Sequence, residues 1–297
     1  MKSERFGRIG VVGAGVVGTG VAQLFLQSGH DVVLIDINQY QLSVASREIA
    51  RNARLYRLLH KGAGPAGDPL ARLQCAEHLE ALANTDFVIE NITEDWELKR
   101  ELHVGIDTIV APMTPVAANT SAIPITRIAG IGSHPERVIG MHFMNPAPLM
   151  PMVEIIRGIH TSEATIAAAR RLVEQAGRQS ILVNDSPGFV TNRVMMLMVN
   201  EAMFLVHEGI ASVQDVDRLF KTCFGHKMGP LETADLIGLD TVLRSIEVIQ
   251  AEFNDSKYRP CPLLRSKVYA GLNGRKTGEG FYKYDDDAAL QLSAARR

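Results

Sequence analysis

The stretch from Ile9 to Asp36 constrains the fold more than any other. A short apolar run, Ile9 to Val12, passes at once into Gly13-Ala14-Gly15-Val16-Val17-Gly18. An apolar helix pattern through Val21, Leu24 and Phe25 then stops at Gly29, and a second run, Asp31 to Ile35, ends on Asp36. Strand, turn, helix and strand over this length make a parallel βαβ crossover. GxGxxG alone is a weak signal, but here it follows a strand, opens a helix, and precedes by eighteen residues an acid that closes the next strand. Gly13 permits the tight turn, Gly15 lets the backbone approach a pyrophosphate, and Gly18 lets helix and strand pack closely. The helix N-terminus, with Ala14, Val16 and Val17 around it, turns N–H donors and a positive dipole toward phosphates. Asp36 would accept hydrogen bonds from the adenine ribose and repel a 2′-phosphate. Ile37, Asn38, Gln39 and Tyr40 bring no cation to reverse that preference. The expected cofactor is therefore NAD, against the plain alternative of a tight turn that binds nothing.

The rest of the chain repeats the alternation. A charged helix pattern covers roughly Gln39 to His60 and ends in GAGPAGDP, 62–69, too rich in Gly and Pro to stay helical. Further strands are expected at Phe87–Ile89, Val116–Ala118, Val138–Phe143, Val153–Ile156 and Ser180–Val183, with helical stretches between several of them. The pattern implies an α/β fold, a Rossmann-type doubly wound, mostly parallel sheet. After Asn184-Asp185-Ser186-Pro187-Gly188 the character becomes helical: a Met-rich helix to about Val206, then one opened by Ser212 with Asp215 three residues on. The expected organisation is an NAD-binding domain over 1–186 and a smaller all-α domain over 187–297. Met195, Met196 and Met198 read as gap-filling core or interface residues.

At 297 residues, 46% of them hydrophobic, the chain is long enough for two cores. Its formal net charge of −2 points to neither nucleic acid nor an anionic membrane. Cys75, Cys223 and Cys261 stand far apart in no metal-like spacing and read as reduced thiols, so no metal site is expected. The most apolar run, Gly188–Val206, is interrupted by Asn192, Arg193, Asn200 and Glu201, and the N-terminus enters a strand directly. A soluble cytoplasmic protein is the expectation.

Chemistry concentrates in RVIGMHFMNPAPLMPMVEIIR, 137–157. Two strand-like runs flank a loop stiffened by Pro146, Pro148 and Pro151. If the chain reverses there, Glu154 can lie beside His142. A carboxylate against an imidazole fixes its tautomer and stabilises its protonated form, which suits a base that removes a hydroxyl proton while hydride leaves. A lone His is more commonly a satisfied core residue, and the partner and rigid turn move the balance only modestly.

Five segments occur in order after the glycine turn: NTSAI (119–123), HFMNPAP followed by VEII, DSPGFVTNR (185–193), MGPLE (228–232) and KTGEGFYKY (276–284). Together they resemble the 3-hydroxyacyl-CoA dehydrogenase family in its short monofunctional, 3-hydroxybutyryl-CoA dehydrogenase-like form, over essentially the whole chain. The resemblance implies an NAD-dependent dehydrogenase acting on the CH–OH group of a 3-hydroxyacyl thioester, with the helical domain forming a homodimer interface. It implies His142 as general base or acid and Glu154 as its carboxylate partner. It implies Ser121 and Asn192 as the polar residues holding the substrate's 3-oxygen and thioester carbonyl. Glu94, Lys99, Asn119, Asn145 and Lys276 match positions near the nicotinamide half of the cofactor. Plain alternatives remain: Asn192 as a helix-start residue, Lys276 as a solvated turn residue, Lys99 as an exposed helix charge.

Arg47, Arg51, Arg54, Arg57 and Lys61, spaced 4, 3, 3 and 4 apart, fall on one face of the second helix. Such a stripe is most often a solvated face. Its functional reading is an anion dock for coenzyme A phosphates or for an acyl carrier protein. The GAGPAGDP loop departs from the family's commoner pattern, and ENITED (90–95), NTSAIPITRIA and FGHKMGPLETADLIGLD resemble members that oxidise a short, glyceryl-type hydroxyacyl unit on a carrier protein in polyketide and antibiotic extender-unit biosynthesis. Rival functions are a free 3-hydroxy acid or sugar-acid dehydrogenase, a non-catalytic, crystallin-like NADH-binding protein, and a structural or interaction module. The joint presence of Ser121, His142, Glu154 and Asn192 weighs against the last two.

Overall fold

The computed structural model describes residues 5–59 and 68–284, with the side chains of 55–59 outside the description. It divides into two compact units, Met1–Ser186 and Pro187–Arg297.

The first unit alternates in chain order: β1 (Arg8–Val12), α1 (Val16–Gln27), β2 (Asp31–Ile35), α2 (Gln39–Leu59), β3 (Leu73–Ala76), β4 (Phe87–Glu90), α3 (Trp96–Ile109), β5 (Val116–Ala118), α4 (Ile125–Ala129), β6 (Val138–Phe143), β7 (Met152–Arg157), α5 (Glu163–Gln175) and β8 (Gln179–Asn184). They form one eight-stranded sheet in the order β3-β2-β1-β4-β5-β6-β7-β8. Every pairing is parallel except β6 with β7, which run antiparallel.

Both faces of the sheet are covered, and the period of two shows how. Ile9, Val11, Val32, Leu34, Phe87 and Ile89 enter one core with α1, α2 and α5. Their neighbours Val12, Val33, Ile35 and Val88 enter a second core with Ile106 and Val110 at the end of α3. Strands buried on both faces are mostly apolar, which is why β1, β2, β4 and β6 read as near-continuous hydrophobic runs. Helix starts follow local chemistry: Asp95 caps α3 by accepting from the Leu98 N–H at 3.1 Å, and Ser162 caps α5 through the Thr165 N–H at 3.2 Å.

The second unit contains α6 (Thr191–His207), α7 (Val213–Cys223), α8 (Pro230–Ile237), α9 (Leu239–Phe253) and α10 (Pro262–Tyr269). Ser212 Oγ accepts from the Asp215 N–H at 3.1 Å, as its spacing predicts. Two buried carboxylates then tie down the final turn. Asp235 accepts from the N–H groups of Phe281 and Tyr282 and from the Tyr284 hydroxyl, and Asp217 accepts from the Tyr282 hydroxyl. Burial and the adjoining Asp235 carboxylate push the Tyr284 hydroxyl up to about 12. No helix among the described residues is long and apolar enough to cross a membrane.

Candidate active site

The order of strands reverses between β1 and β4, and the crevice beyond the carboxyl ends of the strands there is where α/β sheets bind ligands. The glycine turn lies at this edge. Gly13 has φ +97°, donates its N–H to the Ile35 carbonyl at 2.7 Å, and leaves only 2.7 Å between a would-be Cβ and the Asn91 carbonyl oxygen. A Cβ on Gly18 would stand 1.8 Å from the Gly13 carbonyl oxygen, so no side chain fits. Gly15 differs, because nothing lies within 4 Å of where its Cβ would be. The protein's own packing does not require glycine there, whereas a pyrophosphate against the backbone does. The first turn of α1 carries no acidic residue and no side-chain cap, and Val16 is 65% exposed, so the first-turn N–H groups are left for an outside anion. Asp36, half-buried past β2, accepts from the Ala14 N–H at 2.8 Å and the Asn38 N–H at 2.9 Å, which orients its carboxylate at the turn. These residues fit NAD.

Two substitutions separate packing from binding. Gly15→Ala should leave the melting temperature unchanged and weaken NADH binding about tenfold or more, equivalent to about 1.4 kcal/mol. Gly18→Ala should lower thermal stability by about 1–3 kcal/mol through overpacking, as well as binding. Fluorescence titration with NADH and a thermal melt read both, and normal NADH affinity in Gly15→Ala would remove the pyrophosphate from this turn.

The His142–Glu154 pair lies at the same edge. β6 and β7 pair antiparallel with His142 directly opposite Glu154, and the Nδ1···Oε2 distance is 3.1 Å with both residues 5% exposed. An ionised carboxylate only accepts, so the hydrogen belongs on Nδ1 and the Nε2 lone pair faces the other way. Nε2 points toward Ser121 Oγ, 3.5 Å away. A buried imidazole held in this tautomer can take a proton at Nε2 and be stabilised as the imidazolium.

Asn119 and Glu94 shape the edge around it. Asn119 donates to Asn91 Oδ1 at 2.7 Å and accepts from the Phe143 N–H at 3.1 Å, joining the ends of β4, β5 and β6. Glu94 Oε1 accepts from the Thr120 hydroxyl at 2.5 Å and from the backbone N–H groups of Ser121, Ala122 and Ile123 at 3.1, 2.9 and 3.3 Å. Lys99 is not the exposed helix charge considered from sequence. It is 0% exposed, with its ammonium 2.6 Å from Glu90 Oε1 and 4.0 Å from Glu94.

The other candidates are distributed as follows. Asn145 is exposed and begins a cis peptide to Pro146. Asn192 lies in the first turn of α6, inside the second unit, where the plain reading of a helix-start residue places it. Lys276, also in the second unit, sits in a short helical turn and pairs with Asp240 rather than standing as a solvated turn residue. Arg47, Arg51 and Arg54 are exposed along α2, the arrangement their spacing predicts. The Arg57 side chain and all of Lys61 lie outside the described residues, as do residues 62–67 of the loop.

Sequence reasoning missed Glu90, His103 and Asp185. Glu90 ends the apolar run FVIE, and Lys99 and His103 share one face of α3 at an i,i+4 spacing, so the pairing had a visible signal. Asp185 accepts from the Ile125 and Thr126 N–H groups at 3.0 and 2.7 Å, a contact across sixty residues that no local pattern announces.

Known families account for this arrangement. The model of the 3-hydroxyacyl-CoA dehydrogenase NAD-binding domain matches residues 8–186, and that of the 3-hydroxyacyl-CoA dehydrogenase C-terminal domain matches residues 188–284. The chain belongs to the 3-hydroxyacyl-CoA dehydrogenase family, and is an NAD-dependent dehydrogenase of the kind that acts on a CH–OH group. A probable 3-hydroxybutyryl-CoA dehydrogenase of Bacillus subtilis is 43% identical over 282 residues, spanning 94% of this chain and 98% of the relative. A 3-hydroxybutyryl-CoA dehydrogenase of Bradyrhizobium diazoefficiens is 43% identical over 280 residues, spanning 93% of this chain and 95% of the relative. The crystal structure of (S)-3-hydroxybutyryl-CoA dehydrogenase from Ralstonia eutropha is similar with a TM-score of 0.87 at 42% identity, covering 95% of this chain and all of that one.

Proposed function

We propose that the chain interconverts a short 3-hydroxyacyl-CoA thioester, of the 3-hydroxybutyryl-CoA type, and its 3-keto counterpart. The observation that carries the reading is the buried cross-strand pair of His142 and Glu154 at 3.1 Å beside the glycine turn's sheet edge. NAD, when bound, supplies the carbon that accepts hydride from C3 of the substrate. In the oxidative direction His142 Nε2 takes the hydroxyl proton as the C3–O bond becomes a carbonyl, and Glu154 stabilises the resulting imidazolium through Nδ1–H. Ser121 is assigned to the polar hold on the substrate's oxygens, and Asn119 and Asn145 to the nicotinamide side of the site. Cytoplasmic operation fits three cysteines in no disulfide. A homodimer fits the exposed apolar side chains Val194, Ile210, Leu219 and Phe224 of the second unit.

Arg47, Arg51 and Arg54 support an anion dock on α2, which serves the phosphates of coenzyme A in this reading. NADH oxidation followed with acetoacetyl-CoA and with acetoacetyl-pantetheine tests both points. Rapid turnover of the CoA ester is expected, and charge reversal at Arg51 and Arg54 should raise KM about tenfold for acetoacetyl-CoA and leave the pantetheine ester unchanged. Equal effects on both would remove the dock. NADH binding without turnover of either ester would overturn the CoA assignment and favour a carrier-protein-bound substrate, as in polyketide biosynthesis, or a non-catalytic NADH-binding role.

A further inference from the structure

The turn that carries Ser121 does not hold itself. Three successive backbone N–H groups, from Ser121, Ala122 and Ile123, converge with the Thr120 hydroxyl on a single carboxylate oxygen, Oε1 of Glu94. Converging N–H groups of this kind form an anion-binding concavity. Here the anion is tethered, supplied by the loop between β4 and α3 some 26 residues away in sequence. Thr120 Oγ1 is spent within the same turn, accepting from the Ile123 N–H at 3.0 Å. Just beyond, Asp185 takes the Ile125 and Thr126 N–H groups, so two carboxylates from outside the segment define its path from Thr120 to Thr126. From this turn Ser121 presents its hydroxyl toward His142 Nε2, at 3.5 Å.

We infer that Glu94 is a positioning residue: it sets the 120–123 turn so that Ser121 Oγ stands at His142, and it acts through that turn rather than by touching the cofactor. The family resemblance, which assigns Glu94 to the nicotinamide side, leads to a different expectation. Among the described residues, all four hydrogen bonds of Glu94 go to the turn, and its second oxygen faces the buried Lys99 ammonium at 4.0 Å. A charged acceptor shared by several N–H groups is an unusually stiff clamp, because losing it weakens them together and leaves the Ala122 and Ile123 N–H groups only the Thr120 hydroxyl, at 3.4 and 3.0 Å. The inference rests on the assignment of Ser121 and His142 to the reaction.

The experiment is a double-mutant cycle on the full-length protein, measuring kcat with acetoacetyl-CoA at saturating NADH and, separately, the NADH dissociation constant. Ser121→Ala is expected to lower kcat about tenfold or more, and Glu94→Ala to lower it to a similar degree. The double variant should be no slower than Ser121→Ala within about threefold, because the two act as one unit. NADH affinity should stay within about threefold of the parent in all of them. Glu94→Gln keeps an acceptor oxygen for the turn and should recover most of the lost kcat. Glu94→Asp keeps the charge but withdraws it by one methylene, and should behave like Glu94→Ala. These two variants decide the matter if Glu94→Ala fails to fold. Multiplicative losses in the double variant, a normal Glu94→Asp enzyme, or weakened NADH binding with intact kcat would each overturn the inference. An unaffected Ser121→Ala enzyme would instead overturn the assignment of Ser121 itself.

Discussion

Replacing His142 by Ala is expected to lower kcat by about 10²–10⁴-fold, the contribution of a well-placed general acid or base, while leaving NADH binding within error of the parent. The expectation follows from geometry. His142 reaches the site edge from β6, buried and fastened at Nδ1 by Glu154, so its removal takes away the proton acceptor without touching the glycine turn at β1. Glu154→Gln is the sharper probe. The amide preserves size but can donate to Nδ1, which would move the imidazole hydrogen to Nε2 and present the wrong tautomer to the substrate. A loss of about 10²-fold or more is expected there too, by the logic of carboxylate–histidine pairs in general. Steady-state kinetics across pH, with NADH titration in parallel, checks both. Near-normal kcat in either variant would mean that the pair is structural.

The second large effect concerns stability. Lys99→Met should destabilise the first unit by about 3–5 kcal/mol at neutral pH, the usual consequence of removing one partner of a buried ion pair. Glu90 would remain fully buried with only the Ile92 N–H and His103 as partners among the described residues, at 2.7 and 3.4 Å. In the parent, burial pushes the Glu90 carboxyl up, but the Lys99 ammonium and His103 outweigh it and hold the group below the ordinary carboxylate range. A folded-state pKa below the unfolded value contributes stability that is present above the unfolded pKa and lost as pH falls through the folded one. With Lys99 gone, burial dominates and Glu90 should accept a proton at higher pH. The gap between variant and parent should therefore narrow as the solution is acidified from pH 7 toward pH 5. Urea unfolding at the two pH values reads this, and a gap under about 1 kcal/mol at pH 7 would show that the pair holds nothing. Glu90→Gln with Lys99→Met should recover a substantial part of the loss, since the damage lies in the orphaned charge.

The elements legible in the sequence share a physical property: their signal is local. β2, β5 and β6 have the boundaries their apolar runs suggest, and β7 and β8 extend the expected runs by one residue at each end. β3 escaped notice because Leu73–Ala76 is an edge strand, half-exposed and flanked by polar residues, so neither alternation nor a continuous apolar run marks it. Its position matters, since the Ala76 carbonyl accepts the Asp36 N–H at 3.2 Å and so steadies the residue expected at the ribose.

The candidate site divides along the same line. The glycine turn, Asp36 and the reversal that brings Glu154 to His142 were written in contiguous stretches, because a βαβ crossover and a proline-stiffened hairpin are built from neighbours in sequence. Lys99 and Glu94 were marked only by their match to the family's pattern and, for Lys99, by its spacing to His103, neither of which tells of burial or of a turn closing on a carboxylate. A lysine on a helix reads as solvated until the packing of α3 against β4 shows it wholly buried, and Glu94 reads as one more loop acid until the 120–123 turn closes on it. By itself, the sequence determined the alternating architecture, the glycine turn and the hairpin that sets Glu154 beside His142. Only the tertiary structure decided which charges are withdrawn from water and which carboxylates hold the Ser121 turn. Burial and convergent backbone donors are properties of how distant segments meet, and no residue type or spacing encodes them one at a time.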